Sequence, residues 1–189
     1  MVAVAMFVWR GINSAVPSLE ARLQVLIPGD FSSIALSPDG RQLLFIAPDE
    51  KGSGSELWLR PLDSETARPL AGTELSNQPF WSADSKSIGF FSHQKLRRID
   101  VESGAVQTLA DAPTPRGGSW SRDGTILFAP AGNGPLYRIP ATGGRPEQVT
   151  EQRTPQEASH RDPEFLPDGR HFLFWIIGCL LYTSPSPRD

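Results

Sequence analysis

Apolar and polar positions repeat along this chain with a long period. Four segments, LSPDGRQLLF from Leu36, WSADSKSIGF from Trp81, WSRDGTILF from Trp120 and FLPDGRHFLF from Phe165, each place a large apolar residue three positions before an aspartate. The aspartates Asp39, Asp84, Asp123 and Asp168 lie 45, 39 and 45 residues apart. A strand is predicted after each turn, ending in Phe45, Phe90, Phe128 or Phe174. The Phe falls six residues past the Asp, except in the third segment, which is one residue shorter. Three turns carry Asp-Gly, where Gly accepts positive φ and Asp bonds the local backbone. The turn at Asp84 reads Ala83-Asp84-Ser85 instead, and Ser prefers positive φ less.

A second motif recurs between the turns: LWLRPLDSETARPL from Leu57, LRRIDVESGAVQTL from Leu96 and LYRIPATGGRPEQV from Leu136. The starts are 39 and 40 residues apart, and each segment closes on an apolar residue 13 positions later, at Leu70, Leu109 and Val149. Leu57, Leu59 and Leu62 beyond Pro61, or Leu136 and Ile139, read as short strands bounded by Asp-Ser, Ser-Gly or Gly-Gly turns. Together the motifs predict a four-stranded antiparallel unit of about 40 residues. An inner strand leads into the Asp turn, the second strand carries the Phe, the third carries the Leu, and the fourth ends on Leu or Val. Such a unit cannot bury both faces alone, whereas stacking neighbours around an axis buries them; this period is the signature of a β-propeller.

The Ser-Pro-Asp-Gly turns with aromatic strands resemble the TolB-like, WD-repeat-like β-propeller family, and lack the Gly-His and Trp-Asp pairs of true WD repeats. More specifically, LSPDGRQLLFIA, NQPFWSADSKSIGFF, RGGSWSRDGTILFAP and SHRDPEFLPDGRHFLF resemble propellers that follow the membrane helix of bacterial membrane-anchored serine/threonine protein kinases. The resemblance covers about residues 22–175. It implies an all-β, partial β-propeller of about three and a half four-stranded antiparallel blades, where the family closes rings of about six or more. Residues 22–27 (RLQVLI) are then the strand that completes the last blade of an intact ring.

The ends read differently. Residues 2–9 (VAVAMFVW) are apolar but as a helix rise only about 12 Å against a hydrocarbon core of ~30 Å. Three readings stand: a truncated transmembrane helix over residues 1–10, a weak signal or anchor, and an ordinary buried segment. Residues 11–21 (GINSAVPSLEA) suit a juxtamembrane linker, which favours the short helical membrane stub. The expected domain is the incomplete propeller of residues 22–178. Residues 179–189 (CLLYTSPSPRD) resemble the translation of a transposon-end adapter used in sequencing libraries, and are left out of fold reasoning.

Composition agrees with this organisation. The chain has 17 Gly and 18 Pro among 189 residues, roughly a fifth against the usual ~12%, which disfavours a helical bundle. With 39% hydrophobic and 21% charged residues it can bury a core. A net charge of −3 argues against nucleic acid as the main partner. The one cysteine, Cys179, falls in the adapter-like tail and makes neither an internal disulfide nor a zinc site.

Candidate chemistry is sparse. The four aspartates occupy equivalent positions on different blades, so they do not converge on one metal ion and read as turn residues. His93, His160 and His171 have no metal-ligand spacing; His160 stands just before an inner strand, facing the channel or a rim, or bonded within the sheet. No G-x-S-x-G elbow and no V-A-I-K or H-R-D kinase motif occurs, and Lys51 followed by Gly52-Ser53-Gly54 lacks the G-K-[ST] ending, so it reads as a hairpin loop. Arg60, Arg97, Arg98 and Arg138 recur on third strands roughly in register, as a solvated face, with a polar band between blades or a weak anion-binding rim as the alternatives. Trp81 and Trp120 read as packing between blades, with carbohydrate stacking as the alternative.

The sequence reading is therefore a non-catalytic module with no catalytic, cofactor or metal site and no cofactor. Its partner is an unknown protein or small molecule, with the membrane contacted through the N-terminal helix and no nucleic acid. The resemblance implies the extracytoplasmic (periplasmic) sensor of a bacterial inner-membrane serine/threonine kinase. Alternatives are the gating propeller of a prolyl-oligopeptidase-type serine peptidase, or a periplasmic TolB-like scaffold.

Overall fold

A computed structural model describes residues 32–49, 52, 54–152 and 157–178. The expected membrane stub (1–10), the linker (11–21), the strand 22–27 and the adapter-like tail (179–189) lie outside the described residues. Fourteen strands follow one another: β1 Ser33–Leu36, β2 Gln42–Pro48, β3 Ser55–Pro61, β4 Arg68–Pro69, β5 Asn77–Trp81, β6 Ser87–Ser92, β7 Lys95–Asp100, β8 Val106–Asp111, β9 Gly118–Trp120, β10 Thr125–Phe128, β11 Tyr137–Pro140, β12 Glu147–Gln148, β13 Glu157–Phe165 and β14 Phe172–Gly178. They form three four-stranded antiparallel sheets in sequential order and a final pair, β13–β14. This is the three-and-a-half-blade arrangement that the repeat predicts. No helix of the described residues is long and apolar enough to cross a membrane.

The Phe-bearing strands differ from expectation at their ends. Strands β2, β6 and β14 run two to four residues past the Phe, because the residues beyond it still pair with a neighbour, as in Ile46 with Leu57, Phe91 with Leu96 and Trp175 with Arg161. Only β10 stops at its Phe, Phe128.

Alternation along a strand sends successive side chains to opposite faces, so one blade serves two cores. Leu44, Ile46, Leu57 and Leu59 of the first blade meet Trp81, Ile88, Phe90 and Ile99 of the second. On the other face of the second blade, Phe91, Leu96 and Leu109 meet Ile126, Phe128 and Ile139 of the third. Phe90 and Phe91, adjacent in sequence and both fully buried, thus belong to different inter-blade cores. Each such side chain contributes about 1.5–3 kcal/mol of burial, and it is obtained only when a neighbouring blade is present.

The first strands of successive blades touch in the order β1, β5, β9, β13, and so form the inner wall of the arc. Hydrogen bonds lock adjacent blades at both radii. Near the axis, Phe165 N–H donates to Ser119 Oγ (3.1 Å); at the outside, Arg68 Nη2 donates to Val101 O (3.1 Å) and Gln107 Nε2 to Thr142 O (3.1 Å). The outward face of β14 stays open, with Leu173, Trp175 and Ile177 exposed.

Candidate functional site

The four repeated turns are built alike. In the first three, a Ser two residues before the Asp donates its hydroxyl to Asp Oδ1: Ser37 to Asp39 (2.5 Å), Ser82 to Asp84 (2.7 Å) and Ser121 to Asp123. The same Oδ1 accepts the N–H of Arg41, Lys86 or Thr125 at 3.0–3.1 Å. These bonds favour the charged form, and each carboxyl is held below its ordinary value chiefly by its Ser. In the fourth turn Leu166 stands where the Ser would be. There His171 supplies the bonds, with Nδ1 2.6 Å from Asp168 Oδ2 and its N–H 2.9 Å from Oδ1, and lowers Asp168 to about 2. Ser85 fills the Gly slot of the second turn with φ 62°, so the Ala-Asp-Ser sequence closes the same turn. Each aspartate is engaged locally, and no cluster of three or more His, Cys, Asp or Glu that could hold a metal occurs among the described residues.

The arginines correct the expected register. Arg98 and Arg138 do share a position, paired with Gly89 and Leu127, but Arg60 falls in the slot of Ile99 and Ile139. It therefore faces the opposite side of its sheet, is buried, and donates from Nε to Ser64 O (2.9 Å). Arg138 is exposed and pairs with Glu147 at 2.8 Å. Trp81 and Trp120 pack between blades, Trp81 in the first inter-blade core with Nε1 3.4 Å from Ala35 O, and Trp120 against the second.

His160 does not reach the channel. It is 2% exposed, lies on Phe174 with ring centroids 4.9 Å apart, and has Nδ1 2.7 Å from Thr150 Oγ1. It borders a bay of about 520 Å³ lined also by Val149, Glu157 and Ile176. One blade earlier a groove of about 500 Å³ is lined by Leu109, Phe128 and Tyr137 of the third strand, with Tyr137 6.2 Å from Phe128. His93 bonds Ser92 Oγ (2.7 Å) in the β6–β7 turn. Gly52 and Gly54 close the β2–β3 hairpin through Asp49, as the loop reading requires.

Two constellations lie on the inner wall; the first gathers the large apolar residues that the repeat places before each aspartate, and the second carries no motif. At the turn end, Leu36, Phe80, Trp81, Trp120 and Phe165 line a cup of about 350 Å³ with Glu164, whose carboxyl is pushed up by burial. Further along the wall, Gln78, Gly117 and Asp162 occupy one slot on three successive blades, and all three have positive φ (48°, 90° and 46°). Gln78 Oε1 accepts Gly117 N–H (3.1 Å), and Asp162 N–H donates to Arg116 O (2.8 Å), so this strained belt stitches one blade to the next. The residues just before them are Asn77, Arg116 and Arg161. Their 39- and 45-residue spacing equals that of the turn aspartates and was the available signal.

Stacked four-stranded antiparallel sheets around an inner wall of first strands define a β-propeller, and the fold is TolB-like. TolB from Agrobacterium tumefaciens superposes with a TM-score of 0.66 at 23% identity, covering 79% of this chain and 55% of that one. TolB from Acinetobacter baumannii gives 0.64 at 17%, covering 77% and 37%. In sequence, the chain is 31% identical over 155 residues to the uncharacterized peptidase YuxL of Bacillus subtilis (strain 168), which covers 81% of this chain. The chain spans 23% of that peptidase's length. No protein-family model matches.

Proposed function

We propose that this chain is a non-catalytic recognition propeller that works beside an enzymatic domain of a longer protein, with a serine peptidase as the favoured companion. The carrying observation is the 31% identity to a peptidase over 81% of the chain. The described strands all belong to blades, so chemistry in this reading resides in the companion and the propeller screens what reaches it. A second reading, the extracytoplasmic sensor of a bacterial inner-membrane serine/threonine kinase, is supported by the resemblance of the repeats and by the apolar run at residues 2–9. In that reading the membrane is contacted through residues 1–10, residues 11–21 link it to the propeller, and the partner is a protein or small ligand.

The test is recovery of the gene on both sides of this segment, followed by expression of the whole protein with and without the propeller. A downstream G-x-S-x-G domain whose peptide-length selectivity relaxes when the propeller is removed supports the gating role. Upstream kinase motifs followed by a full-length apolar helix overturn it in favour of the sensor.

A further inference from the structure

Arg116 and Arg161 stand at the same repeat position on adjacent blades, and both guanidinium groups rest on one residue of the β10–β11 loop. Arg161 Nη2 donates to Gly132 O (2.9 Å), while Arg116 Nη2 lies 3.6 Å from where a Cβ on Gly132 would be. Their other bonds are to neutral groups: Arg161 Nε to Ser159 Oγ (2.8 Å) and Arg116 Nη1 to Pro115 O (2.8 Å). Both side chains are half-buried, and neither has a carboxylate within ion-pairing distance among the described residues. Asp162 is adjacent in sequence, but its carboxylate lies against Gly117. Two half-buried like charges on one loop, with several donors unused, form an arrangement that an oxyanion completes.

We propose that Arg116, Arg161 and the Gly132 loop form an oxyanion site on the inner wall, taking the carboxylate or phosphate group of a ligand entering the channel. The position suits the task, since repeat symmetry sets both arginines at one level of the wall, Arg161 bonded to the Gly132 carbonyl and Arg116 beside the same residue. Planar guanidinium groups match a carboxylate or phosphate in a bidentate manner, which lysine does not. This inference rests on the reading of the chain as a recognition module and names the chemistry it recognises.

The test is hydrogen exchange read by mass spectrometry on the 189-residue chain at low micromolar concentration, with ionic strength held constant by chloride. Inorganic phosphate and an N-acetyl dipeptide acid are titrated separately, with the dipeptide amide as control. The expected result is protection of residues 129–136 by phosphate or by the acid, and not by the amide or by chloride. Arg116→Gln and Arg161→Gln each weaken the response at least tenfold, while Arg122→Gln, in the third-blade turn, leaves it unchanged. Gly132→Asp keeps both arginines and places a carboxylate beside the Arg116 guanidinium, so it removes the response to added anion while circular dichroism stays as in the wild type. Tighter binding of the acid identifies a peptide or organic carboxylate, and tighter binding of phosphate a phosphoryl ligand. Protection by chloride or by the amide equal to that of the anions, or a wild-type response in Gly132→Asp, overturns the site. So does the absence of protection at tens of millimolar anion, an outcome that leaves the gene-context test of the proposed function untouched.

Discussion

The backbone N–H of Asp39 donates to Ser85 Oγ across 3.1 Å, tying the turn of the first blade to that of the second. Ser85 is buried and holds φ 62°, the conformation that Gly adopts in the other three turns. The departure from Asp-Gly in the second repeat therefore supplies a contact that Gly could not make.

Replacing Ser85 separates the two effects. Ser85→Ala keeps the unfavourable φ and loses the bond, and is expected to cost about 1 kcal/mol. Ser85→Gly loses the same bond but regains roughly 1 kcal/mol from the backbone, leaving stability within about 0.5 kcal/mol of the wild type. Urea midpoints at unchanged m-value measure both. Equal losses in the two variants would show that φ at this position carries no cost.

Phe80 sits edge to edge with two glycines. A Cβ at Gly118 would lie 2.6 Å from its ring, one at Gly89 would overlap it, and the ring contacts Phe91 and Trp120 at centroid distances of 6.2 and 6.5 Å. Gly89→Ala or Gly118→Ala is expected to destabilise by about 1–3 kcal/mol through overpacking between the second and third blades. The double variant Gly89→Ala with Phe80→Leu should recover part of that loss. A thermal or urea melt showing strictly additive losses would argue against the ring as the obstacle.

Acid weakens the turns. The folded carboxyls of Asp39, Asp84, Asp123 and Asp168 are all lowered, so their contribution is fully present above the unfolded value near pH 4 and is lost as pH falls through the folded values. Asp168 holds its charge down to about pH 2, and the leading cause is its bond from His171. Carboxyl NMR titration should show that midpoint rising in His171→Ala while Asp123 is unmoved. Asp123→Asn should flatten the acid limb of the stability profile and cost about 0.5–1 kcal/mol at pH 7.

The open face of β14 carries Leu173 at 62% and Trp175 at 70% exposure, a contiguous apolar strip on an edge strand. Such a surface favours strand-to-strand association and binding of hydrophobic dyes. Trp175→Lys with Ile177→Lys is expected to cut dye fluorescence several-fold and to delay aggregation in light scattering. Unchanged dye binding would place the exposed surface elsewhere.

The blades were legible because their signals are local. An aspartate, the Gly or Ser after it and a Phe five or six residues on specify a turn and its following strand without help from distant residues. Arg60 is displaced from the expected register because matching it to Arg98 and Arg138 follows residue type; counted from Leu57 and Leu96 it falls at Ile99, and a one-residue offset along a strand moves a side chain to the other face. The inner-wall slots went unnoticed because their residue types differ, Asn77, Arg116 and Arg161, then Gln78, Gly117 and Asp162. Only the shared spacing and the shared positive φ of the second set reveal the equivalence.

The sequence by itself determined the blades: their number, their strand order, their turns and the alternation that divides Phe90 from Phe91, since each depends on backbone preferences and period-two side-chain direction within about 40 residues. Tertiary structure alone decided what the blades do to one another. The close approach of Phe80 to Gly118, the bond from Asp39 to Ser85 and the bond from Arg161 to Gly132 each join residues at least 29 positions apart on different blades. Their geometry depends on how one sheet stacks on the next, which no single repeat specifies.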